Sequence, residues 1–107
     1  MNSPVTSAKV KSALEQAMTL RWETAKTQRE IGEQERQLKV IVDDQTRLRA
    51  NLKEMPSTAA AYKRYLEKFD AQETQIEGYQ AEIKKLQGVE FKQRKDLEDY
   101  LANFSAE

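Results

Sequence analysis

Two heptad ladders run through this chain in mirror image about Pro56. Every seventh residue from Val10 reads Val10, Ala17, Thr24, Ile31, Leu38, Gln45 and Leu52, and a companion set reads Ala13, Leu20, Thr27, Gln34, Ile41, Leu48 and Met55. Past the proline the spacing resumes as Tyr62, Phe69, Ile76, Ile83, Glu90, Leu97 and Phe104, interleaved with Tyr65, Gln72, Tyr79, Leu86, Gln93 and Tyr100. Alternation of three and four residues over so many heptads is the pattern of a coiled-coil seam. The expected fold is all-α: an antiparallel two-helix coiled-coil hairpin, with pairing into a four-helix bundle as its natural extension.

Local chemistry sets the expected boundaries. Ser3 offers an N-cap hydroxyl before Pro4, and proline suits the first helical position because its missing N–H has no partner there in any case. Pro56 disfavours the α conformation in the residue before it. Residues 1–107 therefore read as one hairpin: helix one over about 4–55, a turn at about 56–58, and helix two over about 58–104, capped by Ser57 or Thr58. At about 1.5 Å per residue each arm is about 70 to 75 Å long. A join as short as Met-Pro-Ser-Thr permits only an antiparallel return. A domain-swapped dimer of opened hairpins is the alternative topology, against which Pro56 argues.

Polar seam residues propose the register. When paired residue numbers add to 117, Leu48 faces Phe69, Ile41 faces Ile76 and Leu38 faces Tyr79. Polar residues then meet polar ones: Gln45 faces Gln72, Thr24 faces Gln93 and Thr27 faces Glu90. A slip of one heptad would bury an amide against an apolar or aromatic side chain, at about 1 to 3 kcal/mol for an unsatisfied group. Gln45 and Gln72, each amide satisfying the other, thus read as a register lock. Arg49 toward Glu73 and Asp44 toward Lys68 are expected to flank it, and Glu90 is expected to turn outward to Arg94.

Composition closes off several function classes. Charged residues make up 34% of the 107 positions, with three Gly and two Pro, a mix suited to long helices. Eighteen cations balance eighteen carboxylates, so any electrostatic role must be local. Without Cys there is no disulfide or thiolate site, and without His the commonest acid–base group is missing. No glycine-rich phosphate loop or metal-ligand spacing occurs, and Glu30, Glu33 and Glu77 read as solvated helix charges. The expectation is a non-catalytic protein with no cofactor and no metal. The longest apolar run, Val40-Ile41-Val42, is far short of the roughly 20 residues of a membrane span, so no insertion is expected. The first residues carry no apolar stretch of secretory type.

Two surfaces outside the seam remain as candidate sites. Leu14, Met18, Trp22 and Ala25 form a second apolar stripe on helix one, and Phe91 and Val89 lie outside the seam on helix two. An exposed tryptophan with apolar neighbours marks protein contact. Leu14, Met18, Trp22 and Phe91 are therefore the expected partner-binding residues, the partner being a second copy or the remainder of a longer parent protein. Around the turn, Arg47, Arg49, Lys53, Lys63, Arg64 and Lys68 face only Glu54 and Glu67 between residues 46 and 68. This basic tip is the alternative functional reading, a contact for nucleic acid or an acidic partner. Against it, basic residues ending helix one also oppose the helix dipole.

The segment Ile41-Val42-Asp43-Asp44-Gln45-Thr46-Arg47-Leu48-Arg49-Ala50-Asn51-Leu52-Lys53, followed by Tyr62-Lys63-Arg64-Tyr65-Leu66 and Gln72-Glu73, resembles the C-terminal helical region of a bacterial protein family of unknown function related to mucoidy-inhibitor homologues. The likeness spans about Leu38 to Leu101. It implies a helical arm excised from a larger protein that carries a β-rich domain, and it implies no catalytic residue.

Overall fold

A computed structural model of the chain describes the backbone of residues 4–106 and the side chains of residues 7–104. Helix α1 spans Pro4–Glu54 and helix α2 spans Ala60–Ala106. No strand, cis peptide or positive-φ residue occurs among the described residues. The all-α helical hairpin expected from the two ladders is the observed fold.

The turn is built by Pro56. With its ring in place of an N–H, proline cannot continue the α1 ladder, and α1 closes on a short contact from the Met55 N–H to the Leu52 carbonyl at 3.4 Å. The chain then folds into a turn in which the Ala59 N–H meets the Pro56 carbonyl at 3.0 Å, followed by the Tyr62 N–H on the Ala59 carbonyl at 3.0 Å. Ser57 and Thr58 lie inside this turn, so the second helix starts at Ala60, later than capping chemistry suggested. Backbone turn bonds take the place of a hydroxyl cap here. The other expected cap, Ser3, lies outside the described residues.

Packing divides the hairpin into two compact units. One joins residues up to 30 with residues from 86 onward, and the other comprises Ile31–Lys85. In the first, Ala13, Thr24 and Thr27 are buried, and Ala17, Leu20, Glu90, Gln93, Leu97 and Tyr100 are half-buried. In the second, Ile31, Gln45, Leu48, Gln72 and Ile76 are buried, and the remaining ladder residues are half-buried. Only the outermost rungs, Val10 and Phe104, are exposed. Among the described side chains, Leu48 alone is completely enclosed. Two helices cover each other along a single seam, so most seam side chains keep one flank toward water.

Cross-helix contacts fix the pairing within each unit. Gln28 meets Glu90 in the first; Gln45 meets Phe69 and Glu73, Asp44 meets Lys68 and Gln72, and Arg49 meets Phe69 in the second. These pairs scatter around a sum of 117, where a heptad slip would centre them on 110 or 124. The hydroxyls of Thr24 and Thr27 do not bridge to α2. They turn back onto the Leu20 and Glu23 carbonyls of their own helix at 2.9 and 3.2 Å. Glu90 consequently takes Gln28 and Arg94, each at 3.2 Å, so its expected turn toward Arg94 is present. The Gln93 carbonyl oxygen is left buried with no partner.

Candidate functional site

The Gln45–Gln72 lock works differently from the amide pair expected from the sequence. Both side chains are buried, yet neither bonds to the other. The Gln45 amide donates to Glu73 at 2.9 Å and, more weakly, to the Phe69 carbonyl at 3.4 Å. The Gln72 amide donates to Asp44 at 2.6 Å. Each glutamine thus reaches the carboxylate that neighbours the other in sequence. An ionised carboxylate is a stronger acceptor than an amide oxygen, which explains the preference. The mirror-image dipeptides Asp44-Gln45 and Gln72-Glu73 were the available signal. In an antiparallel hairpin they put a carboxylate beside each buried amide.

Asp44 is the busiest carboxylate of this unit. Besides Gln72 it holds Arg47 at 2.9 Å and stands 3.8 Å from Lys68. Hydrogen bonds from Arg47 and Gln72 hold its carboxyl below the usual aspartate range, and Asp44 in turn raises the Arg47 guanidinium further. The approach of Lys68 to Asp44 is as expected. Arg49 does not pair with Glu73; its guanidinium lies over the Phe69 ring, 5.5 Å from the centroid.

The basic tip residues therefore fall into two groups. Arg47, Arg49 and Lys68 are engaged by Asp44 or Phe69, whereas Lys53, Lys63 and Arg64 are exposed cations without a carboxylate within ion-pair distance. Arg47 of α1 joins Ala61, Arg64, Tyr65 and Lys68 of α2 in lining one groove. Tyr62 and Tyr65 are half-buried in the seam, and Tyr65 also borders this groove.

The apolar stripe stands on the outside of the first unit. Leu14, Met18 and Trp22, each one turn from the next, are 57%, 69% and 57% exposed. The Lys26 ammonium lies 5.6 Å from the centroid of the Trp22 ring, one turn on. Phe91 is 65% exposed but opens on a different feature, a shallow groove lined by Phe91, Arg94, Lys95, Glu98 and Asp99, all on α2. Leu14, Met18 and Trp22 share the stripe on α1, and Phe91 is exposed on α2 among Arg94, Lys95, Glu98 and Asp99.

Among the described residues, no three His, Cys, Asp or Glu side chains converge to hold a metal ion. No described helix is long and apolar enough to cross a membrane. No family model, curated protein or solved structure matches the chain.

Proposed function

We propose that this chain is a non-catalytic, coiled-coil arm that acts as a protein-interaction module, associating with a second copy through Leu14, Met18 and Trp22. The observation that carries the reading is the continuous exposure of three large apolar side chains on successive turns of α1. Such a stripe has no use in an isolated hairpin, where the same residues exposed to water add nothing to folding. Bundling of two hairpins is the ordinary way for such helices to cover a second apolar stripe.

Light scattering across a concentration series tests this proposal. A dimer that falls to monomer when Trp22→Ala and Met18→Ala are combined supports self-association through the stripe. A monomer at every concentration overturns it and leaves the stripe as a docking face for another protein. The latter outcome would favour the arm-of-a-larger-protein reading that the bacterial family resemblance implies.

A further inference from the structure

We propose that the groove between Arg47 and the Arg64–Lys68 turn of α2 binds the phosphate groups of a nucleic-acid strand. This inference is independent of the association stripe, since all the groove residues lie within Ile31–Lys85.

Charge placement is the first observation. Residues 46–68 hold six cations against two carboxylates, and the rest of the chain holds twelve against sixteen. A neutral protein thus carries a cationic tip balanced by an anionic remainder. Such separation draws polyanions to one end of the molecule.

Groove chemistry is the second. Three cations from two helices line it, and one carboxylate, Asp44, is shared by two of them. Arg64 has no carboxylate within reach, and its planar fork of donors matches two phosphate oxygens at once. Arg64 and Lys68 are one turn apart on α2, about 6 Å along the axis, so they can hold successive points along a chain. Ala61, one turn before Arg64 or Tyr65, leaves the groove floor open.

Shape decides between polyanions. The turn itself, Met55 to Ala59, carries no charge at all, so a lipid surface meeting the end of the hairpin would find no cation there. The cations instead line a concave flank that accepts a flexible chain. Tyr62 and Tyr65 are half-buried and the groove's charges are cations, so recognition rests on the phosphate backbone, whose contacts carry no sequence information.

The test is fluorescence anisotropy with a labelled oligothymidylate of about 15 nucleotides, from about 20 to 200 mM salt. Three phosphate contacts give a slope of about −2 for log affinity against log salt on a single strand. Arg64→Gln with Lys68→Gln should weaken binding by about tenfold or more and reduce the slope by about 1 or more. The control Lys84→Gln with Lys85→Gln removes the same charge elsewhere in the unit, and should lower affinity by less than about twofold. Asp44→Asn, which removes the carboxylate shared by Arg47 and Lys68, should tighten binding by about two- to fivefold. All five side chains are exposed or at the seam edge, and circular dichroism of each variant verifies the fold. Equal losses in the groove and control variants would overturn the site. So would absence of salt-dependent binding, or binding to phosphatidylserine vesicles or polyglutamate that exceeds binding to the oligonucleotide.

Discussion

The Gln72 side-chain amide donates to Asp44 across the hairpin at 2.6 Å, joining a buried seam residue of one helix to a half-buried carboxylate of the other. Asp44 is at the same time the carboxylate that Arg47 and Lys68 share. One group thus ties the register of the seam to the electrostatics of the tip. Its charge state should be felt in stability.

Asp44 titrates below its ordinary value of 3.8 because Arg47 and Gln72 both bond to its ionised form. A carboxyl whose pKa is lowered by folding binds more protons in the unfolded chain, so its contribution is fully present above the ordinary value. The contribution is lost as pH falls through the lowered, folded value. Glu33, held down by Arg36 and Gln37, adds to the same acid limb. Asp44→Asn should therefore be less stable than the parent at about pH 7, with the difference shrinking toward about pH 2. Urea unfolding followed by circular dichroism over that range checks it. Parallel stability curves at all pH values would show that Asp44 contributes no linked protonation.

The buried carbonyl oxygen of Gln93 has no partner, because Thr24 in the facing position bonds to its own helix. An unsatisfied buried acceptor costs about 1 to 3 kcal/mol. Gln93→Leu removes it and extends the apolar seam. The variant should be more stable by about 1 kcal/mol, raising the melting temperature by about 4 to 8 °C. A lower melting temperature would mean that the Gln93 amide is satisfied in solution, for example by an ordered water.

The fold was legible because the seam is one-dimensional. A strict three–four spacing interrupted by Pro56 admits one return path, and every rung from Ala13 to Tyr100 is indeed buried or half-buried. What periodicity could not supply was the identity of hydrogen-bond partners. Spacing places Thr24, Thr27, Gln45 and Gln72 at the seam, but the threonines bond carbonyls of their own helix and the glutamines bond carboxylates of the facing one. Heptad positions describe direction toward the seam and leave unstated how far a flexible amide extends sideways.

Leu48 and Leu14 stand at opposite ends of burial among the leucines of α1. Leu48 is wholly enclosed and Leu14 is 57% exposed, though both are leucines of α1. Leu48→Ala removes apolar contacts and leaves a cavity, and should destabilise by about 2 to 3 kcal/mol, the lower part of the usual range because a two-helix seam can close inward. Leu14→Ala should change monomer stability by less than about 0.5 kcal/mol. Denaturant unfolding at dilute protein concentration separates the two. A comparable loss at Leu14 under conditions of monomer would show that it packs into the hairpin and is no part of an outer surface.

Replacing both seam glutamines tests whether they choose the register or merely tolerate it. In the observed pairing each amide finds a carboxylate, whereas a heptad slip would face Gln45 with Tyr65 or Tyr79 and Gln72 with Leu38 or Leu52. Buried polar seam residues commonly lower stability while excluding alternative alignments. Gln45→Leu combined with Gln72→Leu should therefore raise stability by about 1 kcal/mol and weaken the penalty against slipped pairings. Spin labels at Val40→Cys and Gln75→Cys, both exposed positions of the Ile31–Lys85 unit, report the alignment by pulsed dipolar spectroscopy. The parent should give one distance, and the double leucine variant a second population displaced by about 10 Å along the helix axis, the rise of one heptad. A single unshifted distance in the variant would assign the register to the turn at Pro56 and the apolar rungs, leaving Gln45 and Gln72 only the task of satisfying Glu73 and Asp44.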